Sequence, residues 1–418
     1  MAQPSPASAP SESEPSGLPF ALGAYVIWGF LPLYLLLVAS VPPFEFVGWR
    51  IIWTLPLCLL IVAVRGQFAE VRAALANRRA MLALATSAAL IGFITTAVPE
   101  WTDTPRLKGR RLFVLAALWG GGRLVGFAGA DFAGTLGAMC DLAWLALLVA
   151  YMAHISILKR TDKLLAFIGW IAALAVCETA VRLCFSFEAI ELASRLLRIS
   201  GLVFVGLLGV ALARITVPVT NLVLDPTETT SPFRPHPGRL NLAPGLVAVA
   251  VAVDLAAFSD AVCGYTLIAA GAAFMDRVGE VFIGRSALRA EVASLAGSSA
   301  FAGIGLLLLG AAQLGAPISG IAGLHVALMG GLGLGVLAVF CIAGLLHTGH
   351  SLSFSRSAKL AMVCLIVAVG LRVLPDLDLM PQPPGPPYAL TACFWAAAFL
   401  LWLKDYWPRL RNSFKACE

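Results

Sequence analysis

The feature that most limits the fold is the run from 318 to 346, which is apolar throughout and holds no Asp, Glu, Lys or Arg. About 20 such residues are enough to cross the hydrocarbon core of a bilayer as a helix. Inside lipid every backbone N–H and C=O must be bonded within its own helix or around a closed barrel. Continuous apolarity, rather than two-residue alternation, selects the helix. Comparable runs lie at 19–41, 43–64, 80–98, 112–130, 133–157, 164–186, 199–223, 242–260, 262–283, 293–313, 358–374 and 388–404. The chain therefore reads as an all-α polytopic integral membrane protein with about 13 transmembrane helices. Composition agrees, because only 12% of the 418 residues are charged against about 25% in soluble domains.

Residues 1–18 are rich in Ala, Pro, Ser and Glu and hold no Lys or Arg. A signal peptide opens on basic residues, so this stretch reads as a disordered tail. Residues 413–418 form a second short tail. Between the spans ending at 186 and starting at 199, Glu188, Glu191, Arg195 and Arg198 alternate with Ile190, Leu192, Leu196 and Leu197. That pattern suits a helix lying on the membrane surface. The run 262–283 is the least regular, because Asp276, Arg277 and Glu280 crowd its end. The nine cysteines form no C-x-x-C pair and read as packing residues.

The net charge of +6 resides in loops, where it reports orientation rather than nucleic-acid binding. The partner it implies is membrane lipid. With the basic tail of Lys404, Arg409 and Arg411 placed in the cytoplasm, the loops alternate regularly back to the fourth span. The cytoplasmic loops then carry Arg356 and Lys359, Arg285 and Arg289, Arg234 and Arg239, Lys159 and Arg160, and Arg106 to Arg111. The alternation breaks at the third span, where the loop with Arg65, Arg72, Arg78 and Arg79 is equally basic but falls on the other side.

Two histidines bracket the longest run. His325 and His347 are 22 residues apart, about 33 Å on a straight helix rising about 1.5 Å per residue. They therefore stand at opposite membrane faces and cannot ligate one ion. His325 has Met329 one turn on, and His plus Met on one face suits haem iron or copper. The alternative is a histidine bonded to a neighbouring helix, with Met329 packing. His347 is a second candidate ligand, or else the residue before a C-terminal turn closed by Gly349. His154 reads as interfacial and His236 as solvated. Among intramembrane charges, Glu178 and Arg182 are spaced to pair on one face, while Asp141 and Asp254 have no partner in their own helices. No hydrolase triad, phosphate loop or zinc spacing is present, so no defined catalytic activity is expected.

Two family resemblances follow from quoted stretches. GLPFALGAYVIWGFLPLYLLL, PPFEFVGWRIIWTLPL and RRAMLALATSAALIG, within about 17–91, resemble the opening of RarD-type transporters of the EamA superfamily. FITTAVPEWTDTPRLKGRRL, AALWGGGRL, ARITVPVTN, LHVALMGGLGLG and LLHTGHSL, within about 92–412, resemble the NnrS family. The second resemblance implies a bacterial inner-membrane protein that binds haem and copper and serves the nitric-oxide response or denitrification. The first implies a small-molecule transporter, but over about three helices where that family has ten. The division is thus 1–18 tail, 19–91 RarD-like segment, 92–412 NnrS-like domain and 413–418 tail. It coincides with the break in charge alternation and reads as a fusion. Several positions depart from the NnrS pattern. Asn77 to Ala80 stand where a histidine motif is expected, no histidine lies near Ala296, and His350 replaces the Arg that usually follows His-Thr-Gly. These losses leave a cofactor-poor or degenerate protein as a further reading.

The charge alternation predicts that the C-terminus and the 106–111 loop are cytoplasmic. Fluorescent protein fused after Glu418 should be bright and alkaline phosphatase at the same point silent. An active phosphatase fusion would reverse the assignment.

Overall fold

The computed structural model describes residues 98–416, apart from 100, 106, 108–109, 128–129 and 384–387. The RarD-like spans before residue 98, the basic 65–79 loop, the 1–18 tail and residues 417–418 therefore lie outside the described residues, while residues 413–416 of the expected second tail end a helix. What is described is helical, with no strand among the described residues. The main helices are α1 (Arg110–Phe127), α2 (Ala130–Leu158), α3 (Leu165–Ser186), α4 (Ile190–Leu224), α5 (Leu242–Leu255), α6 (Asp260–Glu280) and α7 (Ala290–Gln313). There follow α8 (Gly320–His325), a π-helix (Val326–Gly333), α9 (Leu334–His347), α10 (Arg356–Val373) and α11 (Ala389–Ala416). All ten apolar runs expected from residue 112 onward are helices. Seven of the helices in the described part are long and apolar enough to cross a membrane, and α5 is a shorter apolar one. The charged end of the 262–283 run does not prevent its span, which is α6.

The separate surface helix expected near 188–198 is not there. Residues from Ile190 are the first turns of α4, which continues unbroken for 35 residues. Ala193, Leu196 and Ile199 are buried with side chains of α2 and α3, while Ile190, Leu192 and Leu197 stay exposed. Arg195 is taken by the end of α5, where Nε donates to Asp254 Oδ1 at 2.9 Å and Nη2 to the Asp254 carbonyl. A sequence shows that one face is apolar but not whether lipid or protein covers it.

Helix α4 is the hub. Leu202, Val205, Leu208 and Leu212 join the core built from α5 to α11, while Ile199, Val203, Leu207 and Val210 join the core built from α1 to α3. Its most apolar window is 72% buried, against 28% for α2 and 33% for α3, so α2 and α3 present most of their surface outward. Pro218 sits inside α4 and removes the N–H that would bond the Arg214 carbonyl. The helix ends at Asp225, whose carboxylate accepts from the Thr227, Thr229 and Thr230 hydroxyls and from the Thr227 and Thr230 amides. The Thr227 and Thr230 hydroxyls hold that carboxyl well below the usual range.

Helix α7 is approached closely on two sides, and glycines permit both contacts. A Cβ on Gly271 would lie 2.8 Å from the Gly303 carbonyl, and one on Gly303 would lie 2.9 Å from the Gly271 carbonyl. Gly264 and Gly310 repeat the arrangement one heptad away, at 2.9 and 2.7 Å. On the other side Gly305 and Gly323 are paired in the same reciprocal way, at 2.7 and 2.9 Å. Small residues that let backbones meet are how membrane helices associate where apolar packing against lipid is no worse than against protein.

The VALMGGLG stretch is wound as a π-helix where an uninterrupted α-helix is the default expectation. π-Turns bond i to i+5 and are rare, often falling at functional sites. Here the buried Ser298 hydroxyl of α7 donates to the Gly331 carbonyl at 2.7 Å. Gly330 and Gly331 lie against Phe301 and Ala302, and Gly333 against Trp395.

Gly305→Ala puts a methyl 2.5 Å from the Ala327 amide nitrogen and should cost about 1–3 kcal/mol as overpacking. Gly169→Ala meets nothing within 4 Å and should be neutral or stabilising by up to about 1 kcal/mol through helix propensity. Thermal unfolding in detergent, followed by size-exclusion recovery, separates the two. Equal midpoints for Gly305→Ala and wild type would show that the α7 contact is looser than described.

Candidate functional site

His325 closes α8 and stands at the head of the π-helix. Its ring is half-buried, and Nδ1 lies 2.8 Å from the Ile321 carbonyl oxygen. A carbonyl only accepts, so Nδ1 carries the proton and Nε2 keeps its lone pair. That division is the one a ligating imidazole needs, with one nitrogen anchored and the other offered. Its charged neighbours come from the end of α10, Arg372 and Asp376. They pair with each other, Arg372 Nη1 to Asp376 Oδ2 at 2.5 Å, and the Arg372 guanidinium lies 4.3 Å from the centre of the Tyr388 ring. Arg372 is thus held by two groups of its own and does not occupy the imidazole. The sequence reading missed this cluster, although the i,i+4 spacing of Arg372 and Asp376 was there to be read.

Met329 lies within the π-helix and packs against the main core. A π-turn holds more residues than an α-turn, so Met329 still stands about one turn from His325.

His347 is at the other end of the same span, exposed, as the last residue of α9. The turn after it is a Schellman motif. The His350 amide donates to the Leu345 carbonyl at 2.9 Å and the Gly349 amide to the Leu346 carbonyl at 3.1 Å. Gly349 takes φ +72 as the left-handed residue this motif requires. The Thr348 hydroxyl caps the Gly344 carbonyl at 2.7 Å and lies 2.8 Å from His350 Nδ1. The His-Thr-Gly-His stretch thus closes a helix, and its geometry is explained without a ligand. His325 and His347 are not brought together.

The donor set decides what group could fit. Among the described residues, no three of His, Cys, Asp and Glu converge as a metal cluster. A copper ion held by protein donors alone needs several of these, and neither end of the span supplies them. A haem iron draws four ligands from its macrocycle and needs one axial imidazole, which His325 Nε2 can supply. His325 Nε2 is a donor of the kind a haem iron takes, and no group of three or more His, Cys, Asp and Glu that could hold a metal ion is present among the described residues.

The intramembrane charges are paired across helices. Arg182 Nε donates to Glu178 Oε1 at 2.7 Å within α3, and its Nη2 to Asp141 Oδ2 of α2 at 2.7 Å. Asp141 is thus paired across the α2–α3 contact. Gly122 of α1 leaves the space, since a Cβ there would lie 2.2 Å from Asp141 Oδ1. Asp254 is answered by Arg195 as described. Both pairings are cross-helix and could not be read from spacing along the chain.

The model of the NnrS protein family matches residues 18–413. The chain belongs to the NnrS family. The match begins upstream of the described helices and includes the stretch that resembles RarD. Over 76 residues at the amino-terminal end the chain is 36% identical to the proteins RarD of Salmonella typhi and Salmonella typhimurium, and 33% identical to protein RarD of Escherichia coli K12. Those alignments take in 18% of this chain and 26% of each RarD protein, so the chain spans about a quarter of the length of the curated relatives it matches. No solved structure is similar to it.

Arg182→Leu should destabilise the NnrS domain by about 1–3 kcal/mol, because it leaves two carboxylates without their cation. The triple variant Arg182→Leu, Asp141→Asn, Glu178→Gln removes the charges together and should recover most of the loss. Thermal midpoints in detergent decide. A triple variant no better than the single one would mean that Arg182 acts by packing alone.

Proposed function

We propose that this NnrS-family chain is a multi-pass protein of the bacterial inner membrane that serves the response to nitric oxide, with His325 as the residue that would hold haem. The observation that carries the reading is the His325 ring itself, Nδ1 anchored on the Ile321 carbonyl and Nε2 left with its lone pair, at the head of a π-helix in the most apolar span. Bound there, haem would supply an iron centre able to take a diatomic ligand. The chain's own residues hold the imidazole in one tautomer, keep the Arg372 charge neutralised by Asp376, and pack the span so that water is excluded from its length. Met329 is the local candidate for a second soft donor on the same side. His347 serves to end the helix. Copper is not part of this reading, because the donors for it are absent among the described residues. We further propose that residues 19–91 are a RarD-like segment joined to the NnrS-like domain at 92–412.

A second reading, small-molecule transport, has the RarD likeness in its favour. It is weaker because about a quarter of a RarD protein does not supply that transporter's two halves.

The absorption spectrum of the purified full chain, expressed with haem precursor, separates the two. A Soret band is expected that is lost in His325→Ala and kept in His347→Ala. A band that survives His325→Ala, or a preparation in which elemental analysis finds no iron, would remove the haem reading. Substrate flux into proteoliposomes without a Soret band would put transport in its place.

A further inference from the structure

A second polar place in the bundle lies away from His325, where α4, α6 and α7 meet under the loop that follows α4. Thr216 of α4, Arg277 and Glu280 of α6, and Leu295, Ala296 and Ser299 of α7 line a small cavity, with Phe233 and Pro235 of the loop above it. The roof is fastened to α4. Asn221 Nδ2 donates to the Phe233 carbonyl at 3.1 Å, and the Phe233 amide donates to Asn221 Oδ1 at 2.7 Å. The ARITVPVTN stretch thus ends in the side chain that closes this cavity.

Two charged groups inside it are incompletely satisfied. Arg277 is 6% exposed. Its Nη1 donates to the Leu240 carbonyl at 3.1 Å, while its Nε, buried, has no hydrogen-bond partner among the described residues. Glu280 Oε1 is likewise buried without a hydrogen-bond partner among them. Arg239 Nη1 approaches that oxygen to 3.7 Å, an ion-pair distance too long for a hydrogen bond. A buried donor and a buried acceptor left unmade each cost about 1–3 kcal/mol. Native structures avoid this with protein partners or with ordered water.

We propose that the cavity is a specific site for one water-sized, neutral hydrogen-bonding ligand, a water molecule, which accepts from Arg277 Nε and donates to Glu280 Oε1. The cavity volume of about 10 Å³ is that of roughly one water. The lining supplies a donor, an acceptor and the hydroxyl-bearing residues Thr216 and Ser299, within the two to four polar partners such a water needs. Charge excludes the halide of similar size. Arg239 and Arg277 are balanced by Asp276, which Arg239 Nε meets at 3.3 Å, and by Glu280, so the cluster is neutral and an anion would meet the Glu280 carboxylate. The bound water joins the two buried atoms left without hydrogen bonds, Arg277 Nε and Glu280 Oε1, across the last turn of α6.

Pulsed-X-ray hydroxyl-radical footprinting of the full chain in detergent tests this, because radicals formed from a bound water label the side chains beside it. Leu295 should be modified severalfold faster than Ile171, which is as fully buried and does not line this cavity. Ala296→Leu, or the milder Ala296→Val, should fill the cavity and bring Leu295 down to the control rate. Replacing chloride by bromide should leave the ratio of the Leu295 rate to the Ile171 rate unchanged. Wild-type Leu295 labelled no faster than Ile171 would overturn the proposal. So would a ratio that bromide lowers, which would make the occupant a halide.

Discussion

The approach of α7 to its neighbours through paired glycines is the contact on which the rest of the described bundle depends. In an apolar solvent no gain comes from hiding leucine from lipid, so helices hold together by how closely they meet and by the polar contacts between them. Gly264 with Gly310, Gly271 with Gly303 and Gly305 with Gly323 bring carbonyl oxygens to within reach of where a methyl would stand. Once α7 is fixed, α6 carries Arg277 and Glu280 to the cavity wall, and the span from Gly320 carries His325 to its place. A methyl added at these contacts would therefore be felt at both polar sites.

The π-helix follows from the same closeness. Gly330, Gly331 and Gly333 let the span press against α7 and α11, and Ser298 meets one of its carbonyls. Residues so short of side chains set little resistance to a wider turn, and packing on two sides decides the winding. His325 lies where the winding changes, which sets its ring against Ile321 and not against a neighbouring helix. The polar groups of the interior are arranged on one rule. Asp141, Glu178 and Arg182, Arg195 and Asp254, and Arg372 and Asp376 are each neutralised by a charge within bonding distance, since a charge left alone in such surroundings is costly.

By itself the amino-acid sequence determined that the chain spans a membrane as helices, because runs of about 20 apolar residues admit little else. It determined which family's motifs are present, that Glu178 and Arg182 share a face, that Gly349 closes a helix, and that His325 and His347 stand too far apart to share an ion. Each of these rests on spacing along one helix or on local backbone preference. Tertiary structure alone decided that Arg182 also answers Asp141, that the 190–198 stretch belongs inside α4 with Ala193 and Leu196 packed on protein, that the VALMGGLG stretch widens into a π-helix, and that Thr216, Arg277, Glu280 and Ser299 come together under Phe233. These depend on which helix faces which. In a chain where nearly every helix is apolar all round, periodicity no longer says which side is inside, and only the packed bundle does.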